Sequence, residues 1–432
     1  RGPSALMYSN GSLGGIVNVV DNTIPMTDLE GFSGFLGGET QSVNDGEAAD
    51  FAARGHLGGL NFTYSFQDQD LENYEIPDNA VLGMHDEHEE DDHEGEHEED
   101  HDEHGAMDEL ANSDFESSAH RLGLSTTGDW GYVGVSYTDL SSTYGIPFHG
   151  EHADHEGHDD DDDHGDDHDG DHEDDHDEHE GEEHHDEHGE ERIYTETESE
   201  TVTLRGSLNT SIGWLNSVDF VVKNADYELT EAHMEVGHDD EHEGEEHEGE
   251  EHDDHDEGPT IFSNESTEIQ IALDLSAGEG VRRLVFNYAE EEMSIIGEEA
   301  FMAPVDSTET TLGFFSSDDL GFANLDLGVR FDRIERDGFL SEMHHDEDHD
   351  EHEGEHDEHD EHEGEMTFEP QSYKEDAFSI AAMLTRELND YSTVSLGLSS
   401  VSKVPSAVEL FMNGEHLATN RYEVGDITLD TE

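Results

Sequence analysis

The 432-residue chain carries 118 acidic against 15 basic side chains, a formal net charge of -103, with 34 His and no Cys. Such a surface repels nucleic-acid phosphates, and the missing thiols exclude disulfides and thiolate metal centres. The partners that suit it are divalent metal ions, for which the histidines add a borderline nitrogen ligand that an oxygen-only site for a hard cation does not use.

In chain order, RGPSALMYSNGSLGGIVNVVDNTIP (1–25) reads as a Pro/Gly turn, a short amphipathic stretch, a glycine pair and a buried strand, Ile16–Val20. From residue 27 onward many segments alternate with period two, as strands do when their two faces meet different surroundings. Phe62, Tyr64 and Phe66 share one face, as do Val202, Leu204 and Leu208. Ile269, Ile271, Leu273 and Leu275 repeat the pattern, then Leu325, Leu327, Val329 and Phe331, then Phe378, Ile380, Ala382 and Leu384. The opposite faces hold Arg205, Asp274, Asn287 and Arg330, which suit a wet or plugged lumen better than the dry core of a soluble sandwich. No run of 18 apolar residues occurs, which argues against a spanning helix and leaves a membrane β-barrel open.

The connections sort into two classes that take turns. Short links lie at 56–60, 126–131, 210–214, 276–280, 316–321 and 387–390, and longer ones near 70–115, 140–196, 231–262, 293–307, 335–372 and 403–421. In an up-and-down meander, links of one parity leave at one end, so all the long links share one rim. The expected fold is all-β, a transmembrane antiparallel up-and-down β-barrel of about 14 strands, and an apparent strand has just begun where the sequence stops at Thr431-Glu432. The chain reads as part of a longer one.

Four low-complexity loops, 84–108, 149–191, 233–258 and 343–366, hold 31 of the 34 His. They have almost no apolar side chains to offset the entropy of ordering, so no secondary structure is assigned to them. All four fall in the long class. Their repeated His-Asp-Glu-His element places two imidazoles three residues apart, at His85 and His88, His101 and His104, His176 and His179, His185 and His188, and His356 and His359. Zinc takes neutral imidazole and carboxylate, usually four ligands, and a flexible loop can supply them as many weak, exchangeable sites. His149, His152 and His155 lead directly from a strand end at Ile146-Pro147, and His416 lies in the 403–421 link with Glu409 and Glu415 nearby. These are the candidates for a better-defined site, whereas His56, at a short turn, and His120, inside a strand, read as structural polar residues. Donor chemistry alone leaves Zn²⁺, Cu²⁺ and Ni²⁺ open. There is no Gly-x-Ser-x-Gly elbow, no phosphate-binding glycine loop and no His-Glu-x-x-His on a plausible helix, so neither an enzyme nor an organic cofactor is expected.

Arg1-Gly2-Pro3, Tyr8-Ser9-Asn10, Gly14-Gly15 and Val17-Asn18-Val19 resemble the end of the plug domain of TonB-dependent outer-membrane receptors, with Ser9 where that family usually has Gly. SKVPSAVELFMNGEHLATNRYEVGD (402–426) resembles a barrel-loop signature of the same receptors, and STYGIPFHGEH (142–152) the entry to the His-rich loop of their zinc-uptake members. The resemblance implies a plug tail over 1–26 and part of a 22-stranded barrel over 27–432, in the outer membrane of a Gram-negative bacterium. It also implies a monomer among outer-membrane lipid that imports Zn²⁺ with energy from the TonB-ExbB-ExbD complex. A siderophore or other metal chelate is the alternative cargo, and a surface metal-buffering protein without transport is the further alternative.

Overall fold

The computed structural model describes residues 2–8, 16–17, 19–77, 109–147, 190–236, 258–277, 280–297, 302–343, 366–416 and 421–432. After a 3₁₀ turn at Pro3–Met7, the strands are β1 (Phe32–Gln41), β2 (Gly46–Leu57), β3 (Leu60–Leu71), β4 (Tyr74–Glu75), β5 (Glu109–Leu110), β6 (Phe115–Gly128), β7 (Gly131–Gly145), β8 (Glu190–Asn209) and β9 (Leu215–Val236). They continue as β10 (Thr260–Ala277), β11 (Gly280–Ile296), β12 (Met302–Asp319), β13 (Asn324–Met343), β14 (Met366–Asn389) and β15 (Ser392–Ser400). A one-turn helix α1 (Ala407–Phe411) and a small hairpin, β16 (Asn413–His416) with β17 (Arg421–Val424), complete the chain. Thirteen strands form one antiparallel meander in the order β1-β2-β3-β6-β7 and then consecutively to β15, while β4 pairs with β5 at the edge of the first long link.

The register carries the two-faced pattern across the whole sheet. Phe62 faces Leu124, Tyr137 faces Val202, Ile271 faces both Phe220 and Phe286, Leu312 faces Phe331, and Phe331 faces Phe378. These apolar side chains remain substantially exposed, whereas Arg330 and Asp332, on the other face of β13, are fully buried. The greasy face therefore points outward, and the wet face lines the inside. A row of directly opposed residues runs from Phe66 through His120, Asp139, Glu200, Asp226, Glu265, Glu292 and Asp306 to Asp337. On β3 this row is still apolar, but on β13 the last belt residue, Phe331, lies six residues lower, or about 20 Å along the strand. That drift of the belt against the register is the stagger of tilted barrel strands.

Links of opposite parity leave at opposite rims. At one rim the links are tight, and exposed Trp130, Trp214, Phe322 and Tyr391 sit at or beside them, as an interfacial aromatic collar does. At the other rim lie the links that contain all four His-rich loops. Two links there are short. The β1–β2 link, which the sequence pattern did not mark, is a tight turn with Asp45 in the left-handed region at φ 40°, and β11 and β12, with a longer link expected near 293–307, are separated only by 297–301 because both strands run further than their apolar stripes.

The inner face holds the ends of the chain. Pro3–Met7 packs on β12, β13 and β14, where any Cβ on Gly328 would collide with the Pro3 carbonyl. Residues 23–29 are stapled near the tight-turn rim: Thr63 donates to the Thr23 carbonyl, Ser125 to the Pro25 carbonyl at 2.6 Å, and the Leu29 N–H donates to buried Asn61 at 2.9 Å. The expected buried strand at Ile16–Val20 does not form. Val17 and Val19 are exposed, and no described strand lies beside them to take their backbone hydrogen bonds. Nor is a strand under way where the sequence reaches Thr431-Glu432: after β17 the described residues hold only a turn at 427–428, and Glu432 exchanges two backbone hydrogen bonds with Lys403.

An outward belt facing hydrocarbon makes a directional prediction. Leu327→Arg, in the middle of the β13 stripe, should destabilise the protein by about 2–4 kcal/mol in denaturant titrations into lipid vesicles. Asp337→Arg, above the belt on the same face, should cost far less.

Candidate metal-capture rim

Each described stub of a His-rich loop emerges from the same rim: after Ile76-Pro77 and before Glu109, after Ile146-Pro147 and before Glu190, after Val236 and before Gly258, and after Met343 and before Met366. The sequence candidates His85, His88, His101, His104, His149, His152, His155, His176, His179, His185, His188, His356 and His359 lie outside the described residues. Among the described residues no group of three or more His, Asp or Glu side chains is arranged to hold a metal ion. What those residues supply instead is field and scaffold.

The field comes from the row crossing β7 to β13, in which Asp139, Glu200, Asp226, Glu265, Glu292, Asp306 and Asp337 stand directly opposite one another. Like charges opposed across a sheet oppose pairing. The Tyr137 hydroxyl donates to both Asp139 and Glu200, at 3.2 and 3.1 Å, and ties two of them together. On the same face, β13 and β14 differ, because Arg333 grips Asp376 through two hydrogen bonds and Lys374 pairs with Glu335. The rest of the collar concentrates cations at the rim without fixing them.

The scaffold is the segment after β15, which folds over the inner face at this rim. Val404, Leu410 and Phe411 are buried against Ile295, Met302, Val305 and Ile334 of the wall, with Tyr373 alongside. The Ser402 hydroxyl and N–H bond to β14, and the Tyr373 hydroxyl donates to the Leu429 carbonyl at 3.0 Å. Sequence explains the helix: Ser406 caps the Glu409 N–H, and the Glu409 carboxylate returns to the Ser406 N–H at 2.7 Å in a capping box. Glu409 also accepts from Lys403 at 3.1 Å. The Ser406 backbone and hydroxyl hydrogen bonds, then Lys403, hold its carboxyl below the usual range despite partial burial. Glu409 is thus committed to the fold of this mouth lobe, whereas Glu415 and His416 ride on β16, opposite Tyr422 and Arg421.

Two clusters were not singled out in the sequence. Deep in the lumen, Arg330 donates to Asp332 at 2.7 Å, and Thr311 donates to the same carboxylate at 2.7 Å. Higher on the wall, Arg336 bridges Glu309 and the Pro405 carbonyl, both at 3.0 Å. The signal available was scarcity, since a chain with 15 basic residues places these two on the wet face of one strand. His56 and His120 both have polar partners in the wall. His56 bonds Asn61 at 3.0 Å beside Asp28, whose carboxyl is held low first by the Thr127 hydroxyl, and His120 meets the Tyr64 hydroxyl at 3.1 Å with the Phe66 ring tilted against it.

No family model matches the chain. Among solved structures, the hemophore receptor HasR of Serratia marcescens, in complex with its hemophore HasA and heme, aligns with TM-score 0.62 at 11% identity over 100% of this chain and 54% of its own. The copper transporter OprC aligns with TM-score 0.53 at 8% identity over 90% and 48%, and the siderophore receptor PiuA of Acinetobacter baumannii with TM-score 0.53 at 9% over 93% and 53%. The fold is that of the TonB-dependent receptor barrels. The chain spans about half the length of the solved structures it matches.

The capping box yields a pH prediction with a definite sign. A carboxyl whose folded pKa is depressed adds stability that is present above its unfolded pKa and lost as pH falls through the folded value. Hydrogen-exchange protection of residues 407–412 should therefore be higher in wild type than in Glu409→Gln at pH 7, and the two should converge below the ordinary carboxylate range. Ser406→Ala should cost the lobe about 1 kcal/mol at neutral pH.

Proposed function

We propose that this chain is part of a Gram-negative outer-membrane receptor that imports a divalent transition metal, zinc first among the candidates, driven through TonB-ExbB-ExbD. Its loops capture the ion, a site near the mouth lobe receives it, and a plug in the lumen gates its passage. The observation that carries the reading is directional: every His-rich loop leaves from the rim opposite the tight turns and their aromatic collar, so the metal-binding sequence faces one side of the membrane. Support for a membrane setting comes from the outward apolar belt and its stagger, and support for import comes from the names of the similar structures, which are receptors and transporters for heme, siderophore or copper.

In this reading the loops and the collar act by concentration. Each His-Asp-Glu-His element must order a segment to close around one ion, which keeps individual sites weak, while their number keeps the local ion concentration high. His416 and Glu415, on β16, are the proposed receiver, and His149, His152 and His155, next in sequence after a strand end at the same rim, are its candidate companions. The chain's own residues perform no bond-making step, and catalysis forms no part of the proposal.

Copper is the second reading. Imidazole and carboxylate donors bind Cu²⁺ more tightly than Zn²⁺ in most geometries, and one of the similar structures is a copper transporter. Bacteria carrying the full-length gene with the four loops deleted should lose growth under zinc limitation and accumulate less cell-associated zinc, measured by mass spectrometry. Normal zinc with depressed copper in that strain selects the copper reading, and normal levels of both reject a capture role. In vitro, zinc binding to the loops should fall steeply below about pH 6.5 as imidazoles protonate, while carboxylate-only Ca²⁺ binding should persist to about pH 4.

A further inference from the structure

Two segments far apart in sequence lie against the inner face of β13, and they meet over one buried ion pair. Arg330 and Asp332 point inward from this strand and are fully buried, with the arginine Nε donating to the carboxylate at 2.7 Å. Thr311 of β12 donates to the same carboxylate at 2.7 Å. The residues directly opposite the pair are short: Gly313 and Ser379 flank Arg330, while Thr311 and Ala377 flank Asp332. Such neighbours cannot by themselves keep water from a guanidinium.

The cover comes from the two segments. On the arginine side the Pro3–Met7 turn presses its backbone onto the wall, where a Cβ on Gly328 would collide with the Pro3 carbonyl and one on Gly313 would stand 3.2 Å from the Leu6 carbonyl oxygen. Gly328 is the inward residue just before Arg330, and Gly313 is the partner of Arg330 on β12. On the carboxylate side Val404 of the mouth lobe is buried with Ala377, which stands opposite Asp332, and with Ile334, the next inward residue of β13. Just before it in the chain, the Ser402 N–H donates at 3.1 Å to Ser379, the residue opposite Arg330 on β14. Each end of the pair thus has a different cover.

A buried ion pair is a costly filling for such a place, because desolvation offsets much of its attraction and apolar side chains of like volume often serve stability as well. What the pair adds is a response to water. We infer that Arg330 and Asp332 form a joint that couples the seating of the N-terminal turn to the seating of the mouth lobe. With both covers down the charges are dry, and their attraction holds the arginine in one geometry on which both segments pack. When either cover lifts, water enters, the charges are solvated separately, and the surface beneath the other cover loosens. Coupling of this kind is reciprocal, so a displacement that begins at the turn reaches the mouth, and one that begins at the mouth reaches the turn. The joint is a property of the wall and stands or falls independently of the cargo.

Hydrogen exchange read by mass spectrometry, on the full-length protein in lipid nanodiscs, tests the coupling, and heat-modifiable migration checks that each variant has folded. Gly328→Ala drives a methyl into Pro3, to which all its nearest neighbours belong, and Val404→Ala opens space beneath the lobe. Each should raise exchange about tenfold in both segments, read in peptides 2–8 and 402–412. Arg330→Met with Asp332→Leu removes both charges and keeps their bulk, and in that background each perturbation should stay in its own segment. If that wall does not fold, Arg330→Gln with Asp332→Asn keeps a hydrogen-bonded pair without charge and should give the same confinement. Exchange that rises only in the perturbed segment of the otherwise wild-type wall overturns the inference. So does coupling that survives in a neutral wall, which assigns it to packing alone.

Discussion

The structure depends on one constraint, that a backbone crossing hydrocarbon must find all its hydrogen-bond partners in protein. Helices meet that constraint locally, but this chain has no helix long and apolar enough among the described residues. Its strands meet it by pairing with sequence neighbours, β2 with β1 and β3, and so onward to β15. An up-and-down order then divides the links between two rims by parity alone. The placement of four His-rich loops on one side therefore requires no signal within the loops themselves; it comes from counting strands.

The same geometry concentrates charge. Once the strands are in register, seven carboxylates stand in one outward row, and no substitution of loop sequence can relieve them. Such a row is tolerated because it lies above the belt in water, where salt with a Debye length of ~8 Å screens each neighbour. It weakens the sheet locally, and it favours any cation that arrives. In the proposed reading stability and capture are coupled, because a divalent ion at the rim would relieve that repulsion. Arg333 and Lys374 interrupt the row's chemistry at β13 and β14, where the wall must also anchor the mouth lobe.

The belt was legible because it alternates: Leu325, Leu327, Val329 and Phe331 face outward as their spacing requires. Strand ends were not. The run Glu196, Glu198, Glu200 continues the outward face of β8 above the belt, but with acids on one side and Thr195, Thr197 and Ser199 on the other it carries no apolar signal. The strands consequently reach far into what composition marks as links. Ile16–Val20 erred in the opposite direction, since its apolar residues announce a strand but a strand exists only against a partner. Within the mouth lobe, the Ser406 and Glu409 spacing is a readable capping box, which assigns Glu409 to the helix. Its contact with Lys403 and the clasp from Arg336 to Pro405 join residues that no local pattern relates.

Capture and hand-off place opposite demands on a ligand set. A loop that orders only around its ion loses conformational entropy with each binding event, so it exchanges readily and holds poorly. In the proposed reading, ligands on a segment that has met that cost during folding would bind more tightly. A gradient from loop-borne to seated ligands moves an ion inward without a change in ligand chemistry. In that reading the direction of transfer would be set by how firmly the receiving segment is held.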